Sequence, residues 1–215
     1  MHTSLYPDRE GCDPLPRSFA IFPLHGVVLL PGAVLPLNIF EPRYLNMIED
    51  TMRESRLIGM IQPPEEDAAS ALSEVGCAGR VSQYIETSDG RIEILLTGVC
   101  RFRVREELPS TRGYRVVQPD WAGFAGDLEP QQPREATMQG FRAALRQYFA
   151  TQGIRPNWEV LDGLEANELI SSLVMVLPLE SADKQLLIEA PDLERRVQLF
   201  GSLIGFSPST EGVRH

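Results

Sequence analysis

The sequence predicts an α+β chain, a β-rich N-terminal region followed by a bundle of helices. Three observations predict it. Short β-branched and aliphatic runs are punctuated by prolines and glycines over residues 19–44. Asp89-Gly90 sits between two alternating segments, the pattern of a tight hairpin. Beyond residue 133 the apolar period becomes helical and stays so.

Residues 1–18 hold three prolines and mixed charge and are expected to form a loose arm. Residues 19–22 read as a short strand, and residues 27–30 as the strand-like core of a Pro/Gly-broken stretch. Residues 34–40 read as another strand, with Pro36 placing it at an edge or bulge. Residues 41–54 switch to helical period. Leu45, Ile48 and Met52 form the stripe, and Pro42 sits in the first turn, where a missing N–H costs nothing. Residues 57–62 are an apolar strand. Residues 63–73 are a loop with an acidic centre, Glu65-Glu66-Asp67. Residues 80–87 and 91–97 make the hairpin around Ser88-Asp89-Gly90, with Ile92, Ile94 and Leu96 alternating against Glu93 and Thr97. Gly98 marks a bulge or a close backbone approach. Phe102 and Val104 then share one face, and Arg101, Arg103 and Arg105 the other, a face expected to be solvated and paired with Glu93 or Glu106. Residues 113–121 add a last strand.

Residues 122–132, AGFAGDLEPQQ, read as a linker. The β-rich domain is therefore expected to span 19–121 and the helical bundle 133–207, with a tail at 208–215. Four stripes define the bundle. They are Met138, Phe141, Leu145 and Tyr148; Leu169, Ile170, Leu173, Val174 and Leu177; Leu186, Leu187 and Ala190; and Leu193, Val197, Phe200 and Ile204, the last capped by Asp192. Trp121 and Trp158 are expected in the core or at the junction of the two parts.

Composition narrows the function. The net charge is −10 with no basic block, which argues against phosphate-driven nucleic-acid binding. No apolar run approaches the roughly 20 residues that span a bilayer. The first residues lack the basic and apolar regions of a signal peptide, so a cytoplasmic protein is expected. Three cysteines, Cys12, Cys77 and Cys100, without a CxxC fit free thiols in a reducing compartment. The hairpin places Cys100 opposite residues 77–79.

Catalytic signatures are sparse. Lys184 is the only lysine and is preceded by Asp183, so no phosphate-cradling G-x-x-x-x-G-K-[ST] loop is present. Ser181 and Lys184 form an S-x-x-K, but the partner motifs of that chemistry are missing, and Ser181 is expected to cap a helix. His25, before a glycine, reads as a turn residue. No metal-ligand cluster and no cofactor motif is found, and no catalytic residue is assigned. Glu41 and Arg43, flanking a helix start beside Tyr44, are candidates for ligand contact as well as for a structural role.

Several blocks carry a family resemblance. They are Phe22-Pro23-Leu24 with Leu30-Pro31-Gly32 and Leu35-Pro36-Leu37; Ile39-Phe40-Glu41-Pro42-Arg43-Tyr44; Leu57-Ile58-Gly59-Met60-Ile61-Gln62-Pro63; Val75-Gly76-Cys77-Ala78-Gly79-Arg80; and Leu96-Thr97-Gly98-Val99-Cys100-Arg101-Phe102. In the helical part they are Leu177-Pro178-Leu179, Lys184-Gln185 and Glu189-Ala190-Pro191-Asp192. In order and spacing they resemble the substrate-binding domain at the front of the ATP-dependent Lon protease, in its stand-alone bacterial branch. The resemblance implies a PUA-like pseudo-barrel followed by a helical bundle, and the recognition of unfolded or partly folded polypeptide without proteolytic activity of its own. Leu24-His25-Gly26 stands where many full-length proteases carry an arginine-aspartate pair. The expected function is thus a polypeptide-binding module, an adaptor or regulator of a protease. RNA binding through the PUA-like fold and an unrecognised hydrolase are the alternatives. The candidate binding residues are His25, Phe40, Glu41, Arg43, Tyr44, Arg101 and Arg103.

Overall fold

The structure, a computed structural model, describes residues 15–64 and 71–205. The acidic centre Glu65-Glu66-Asp67, Cys12 and most of the N-terminal arm lie outside the described residues. The elements are β1 (Phe19–Pro23), β2 (Val34–Ile39), α1 (Pro42–Arg53), β3 (Leu57–Ile61), β4 (Val75–Glu86), β5 (Ile92–Leu108) and β6 (Arg115–Asp120). A 3-10 segment (Ala122–Leu128) follows, then α2 (Glu135–Thr151), α3 (Trp158–Gly163), α4 (Ala166–Val176), α5 (Ser181–Glu189) and α6 (Leu193–Gly205).

The strands run β2-β5-β4-β3-β1-β6 across one sheet, and β5 also pairs with β6. That second pairing closes β5, β4, β3, β1 and β6 into a barrel and leaves β2 as a flap on the first half of β5. β1 and β3 are parallel; the other pairs are antiparallel. The long β5 makes this possible, giving its N-terminal half to β2 and its C-terminal half to β6. The hairpin turns at Gly90, whose φ of 81° is open to glycine at no steric cost. Inside, Phe19, Phe102 and Trp121 meet with ring centroids 5.0 to 5.8 Å apart.

Residues 27–30 are not a strand. Val28, Leu29 and Leu30 are buried as irregular chain lying across β4 and β5. Two glycines make room for them. A Cβ on Gly98 would sit 2.0 Å from the Leu30 carbonyl oxygen, and one on Gly79 would sit 2.7 Å from Leu29 Cδ2. Gly98 is also tied by backbone to this stretch, donating to Ala33 and accepting from Gly32. The register shifts between Ala78 and Gly79, so both expectations for Gly98, a bulge and a close approach, hold. β2 is an edge strand, as Pro36 predicts.

In α1 the deepest residues are Tyr44, Met47, Ile48 and Thr51, with Leu45 and Met52 half-buried beside them. The stripes of α2, α4 and α6 are buried as expected, and Asp192 Oδ1 accepts from the Arg195 N–H at 2.7 Å. In α5 the buried pair is Leu187 and Ile188. Leu186 is exposed, because this helix turns its other side to the barrel and to α6. Ser181 is not a cap. It is the first residue of α5, and its hydroxyl is turned to His25. The six-residue α3, capped by Asn157, is too short to show a period in the sequence. The 3-10 segment falls within residues 122–132 and packs against β5. The apolar core is continuous from the barrel into the helices.

Candidate functional site

The outer face of β2, β5 and β4 carries exposed apolar side chains. The register sets Pro36 beside Leu95 and Gln83, and Asn38 beside Glu93 and Ile85. These two rows line a hollow of about 280 Å³. Residues of equal parity share a strand face, so Val34 lies on the same side as the hollow, and Phe40, one residue beyond the end of β2, continues that parity. Phe40 is 63% exposed, Val34 50% and Ile85 44%. The Arg91 guanidinium lies 6.0 Å from the Phe40 ring. The free edge of β2 carries Pro36, a residue that a ladder accepts only where its nitrogen faces away from the partner strand. Chemically the surface offers apolar contact, a polar rim of Asn38, Gln83 and Glu93, and an unpaired strand edge. It holds no arrangement of acid, base and nucleophile.

The residues singled out in the sequence fall in three places. Phe40 lies on this face. Glu41, Arg43 and Tyr44 lie at the start of α1. There Arg43 pairs with Glu41 at 2.8 Å and stands 4.5 Å over the Tyr44 ring. Tyr44 itself is core, 4.3 Å from the Phe22 ring, and burial pushes its hydroxyl above its ordinary pKa. Arg103 is exposed and paired with Glu74. The pairing expected with Glu93 or Glu106 does not form for it or for Arg101.

His25 and Arg101 lie where the barrel meets the helices. His25 Nδ1 is 3.3 Å from the Pro63 carbonyl and Nε2 is 3.1 Å from Ser181 Oγ. A carbonyl only accepts, so Nδ1 donates to Pro63 and Nε2 is the ring nitrogen that faces the serine hydroxyl. Lys184 Nζ donates to the Gly26 carbonyl at 2.8 Å, and Gln62 Nε2 to the Ser181 carbonyl at 2.8 Å. Asn167 and Ser171 of α4 both donate to the Pro31 carbonyl. This set of bonds clasps the 23–32 stretch to α4 and α5.

Arg101 is 1% exposed, not a member of a solvated face. It makes a two-pronged pair with Asp127 at 2.8 Å and donates to the carbonyls of Ile188 and Ala190. Phe124 lies 4.6 Å beneath its guanidinium. Arg196 is buried nearby and donates to the Leu187 carbonyl at 3.0 Å, while its Nη2 has no partner among the described residues. Burial, then the Arg101 charge, pulls Arg196 down to about 10. Burial, then Asp127, raises both thiols, Cys77 well above its ordinary value and Cys100 to about 12. Neither thiol is an activated nucleophile.

The sequence reading missed Ile85 and Leu95. The signal was present in the unbroken Ile94-Leu95-Leu96, where strict alternation would have placed a polar residue at 95.

Over 205 residues the chain is 31% identical to Lon protease 2 of Sorangium cellulosum (strain So ce56), covering 87% of this chain and 24% of that protein. Over 198 residues it is 27% identical to the Lon protease of Xanthomonas oryzae pv. oryzae, covering 86% of this chain and 22% of that one. The chain spans about a quarter of the length of these curated relatives. The crystal structure of a Lon N-terminal domain protein from Xanthomonas campestris matches with a TM-score of 0.64 at 26% identity, covering 89% of this chain and 99% of that one. The N-terminal domain of the Mycobacterium avium complex Lon protease shares the fold, with a TM-score of 0.66 at 15% identity over 88% of this chain and 98% of that one. The family profile of the ATP-dependent protease La (LON) substrate-binding domain matches residues 18–204. The chain therefore belongs to the ATP-dependent protease La (LON) substrate-binding domain family.

Proposed function

We propose that the protein is a non-catalytic polypeptide-binding module that acts with a protease, as an adaptor or regulator of proteolysis. The observation that carries this reading is the apolar outer face of β2, β5 and β4, with Phe40 63% exposed at its rim. An unfolded segment has exposed apolar side chains, and a shallow apolar hollow beside an open strand edge can take them. The family's description as a substrate-binding domain supports the same reading. The reading requires no cofactor or metal. A β-rich part and a helical part divided near residues 122–132, and a cytoplasmic location consistent with the free thiols of Cys77 and Cys100, belong to it.

The alternatives find less support. Arg101 is held in a buried ion pair and Arg103 is taken by Glu74, so neither of these two arginines is free to meet RNA. Ser181 and His25 lie at the distance of a nucleophile and its base, yet both are engaged in joining the barrel to α5.

Binding of a labelled, permanently unfolded model polypeptide, followed by fluorescence anisotropy, tests the proposal. Phe40→Ser combined with Ile85→Ser removes apolar anchors without touching the core. It is expected to weaken binding about tenfold or more, as loss of interface anchors does. Unchanged affinity in a variant whose circular dichroism matches the parent would sink the assignment of this face.

A further inference from the structure

A second surface lies further along β5, on the half that pairs with β6. There Val104 faces Pro119 and Glu106 faces Gln118, which leaves Arg105 as the extra residue of a β-bulge. Bulges re-aim the side chain they carry. Arg105 lines a hollow of about 630 Å³ together with Arg17, Gln118, Asp120 and Trp121.

The charges in this hollow are unusual for the molecule. Most arginines of the described residues are held by carboxylates, including Arg103 by Glu74 and Arg115 by Glu107 on the same pair of strands. Arg17 and Arg105 are exposed and have no carboxylate partner among the described residues. Asp120, which shares the hollow, is turned to the Ala122 N–H at 2.9 Å. With the Asp120 carboxylate counted, the two guanidinium groups still leave an excess of positive charge on this hollow, in a chain whose net charge is −10.

We propose that this hollow binds a carboxylate-bearing segment of a polypeptide, with Arg17 and Arg105 donating to its Asp or Glu side chains. The guanidinium fork matches a carboxylate in geometry and makes charge-assisted hydrogen bonds to it. A phosphate would satisfy the same donors. A nucleic acid, however, brings a phosphate at every nucleotide, and the acidic chain around the hollow opposes a long polyanion. A short acidic stretch between neutral residues meets the two arginines without that penalty. This site is separate from the apolar face and does not rest on its assignment.

The test compares three labelled probes by fluorescence anisotropy. They are a peptide with a short Asp/Glu stretch, the same peptide with Asn/Gln in those positions, and a single-stranded RNA. The acidic peptide is expected to bind, the amide peptide to bind far more weakly, and added salt to weaken the former. Arg17→Ala with Arg105→Ala, both on the surface, is expected to weaken the acidic peptide about tenfold or more through the lost charged donors. A labelled unfolded polypeptide without Asp or Glu is expected to bind the Arg17→Ala, Arg105→Ala variant as tightly as the parent, which separates this site from the apolar face. Three results would overturn the proposal: no binding of the acidic peptide, equal binding of the amide peptide, or unchanged affinity in the double alanine variant. RNA binding tighter than the acidic peptide, and lost in that variant, would reassign the site to phosphate.

Discussion

Arg101, Arg103 and Arg105 are spaced identically in the sequence and have three different fates. Arg101 is buried against Asp127, Arg103 makes an exposed pair with Glu74, and Arg105 is turned out on a bulge. The period of a strand says which face a residue takes and nothing about what covers that face. Asp127 is 26 residues from Arg101, and Glu74 is 29 from Arg103, so no local pattern reveals either partner. The difference has an energetic signature. Both charges of the Arg101–Asp127 pair are out of water, with side chains 1% and 2% exposed. Arg101→Leu strands a buried carboxylate and is expected to cost about 3–5 kcal/mol in urea unfolding. Replacing both residues by leucine is expected to recover part of that loss, because no lone charge then remains. Arg103→Ala is expected to change stability by less than about 1 kcal/mol, as for other exposed pairs.

At the scale of elements, the helical stripes were the most legible part of the chain. α2, α4 and α6 bury the residues their periods select. Helix ends were less legible, because one lacks the cap its sequence suggests and another is finished by a different element. Ser181 has the right type for a cap, but it is the first residue of α5, after Glu180 at the cap position, and its hydroxyl serves His25. α2 has Arg134 at its N-cap position, without a side-chain cap of its own. Glu194 of α6 supplies one, accepting from the Arg134 N–H at 2.8 Å and from the Thr137 hydroxyl at 2.7 Å. The Thr137 hydroxyl and then the Arg134 N–H hold the Glu194 carboxyl down at about 2. A carboxyl lowered on folding contributes stability above its unfolded pKa of about 4.3. That contribution fades as pH falls toward about 2. Glu194→Gln is therefore expected to destabilise the protein at neutral pH and to make progressively less difference as pH falls below about 4 toward about 2, where the parent's carboxylate itself takes up a proton. Thermal unfolding of both proteins across that range checks the convergence.

Across the whole molecule, the order of strands was only partly legible. The Asp89-Gly90 hairpin fixes β4 against β5, and the Pro/Gly-bearing loop 109–114 turns β6 back onto β5, but β1 beside β3 and β1 beside β6 are long-range pairings with no turn signal. The candidate face was legible in part for the same reason. Phe40 stands out in the sequence, while Leu95 and Ile85 come together with it only through the register of three strands. The barrel and helices share one apolar core, and the clasp of His25, Gln62, Lys184 and Asn167 ties them at several points. The two parts are therefore expected to unfold together. Far-ultraviolet circular dichroism, weighted to the helices, and Trp121 fluorescence in a Trp158→Phe background should give coincident transitions in urea. Separate midpoints would show that the clasp is weaker than the cohesion of either part.

Pro36 bears on a different matter, the behaviour of many copies in one solution. An apolar strand at the rim of a sheet is a template on which a second molecule can add its own strand, and a third can follow. Pro36 removes one donor from the free rim of β2. Asn38 and Phe40 follow in sequence, but the run of consecutive donors that a growing stack would need is interrupted. The protein can thus display a sticky face at high concentration and remain dispersed, since side chains can be received there while strand-upon-strand polymerisation is discouraged.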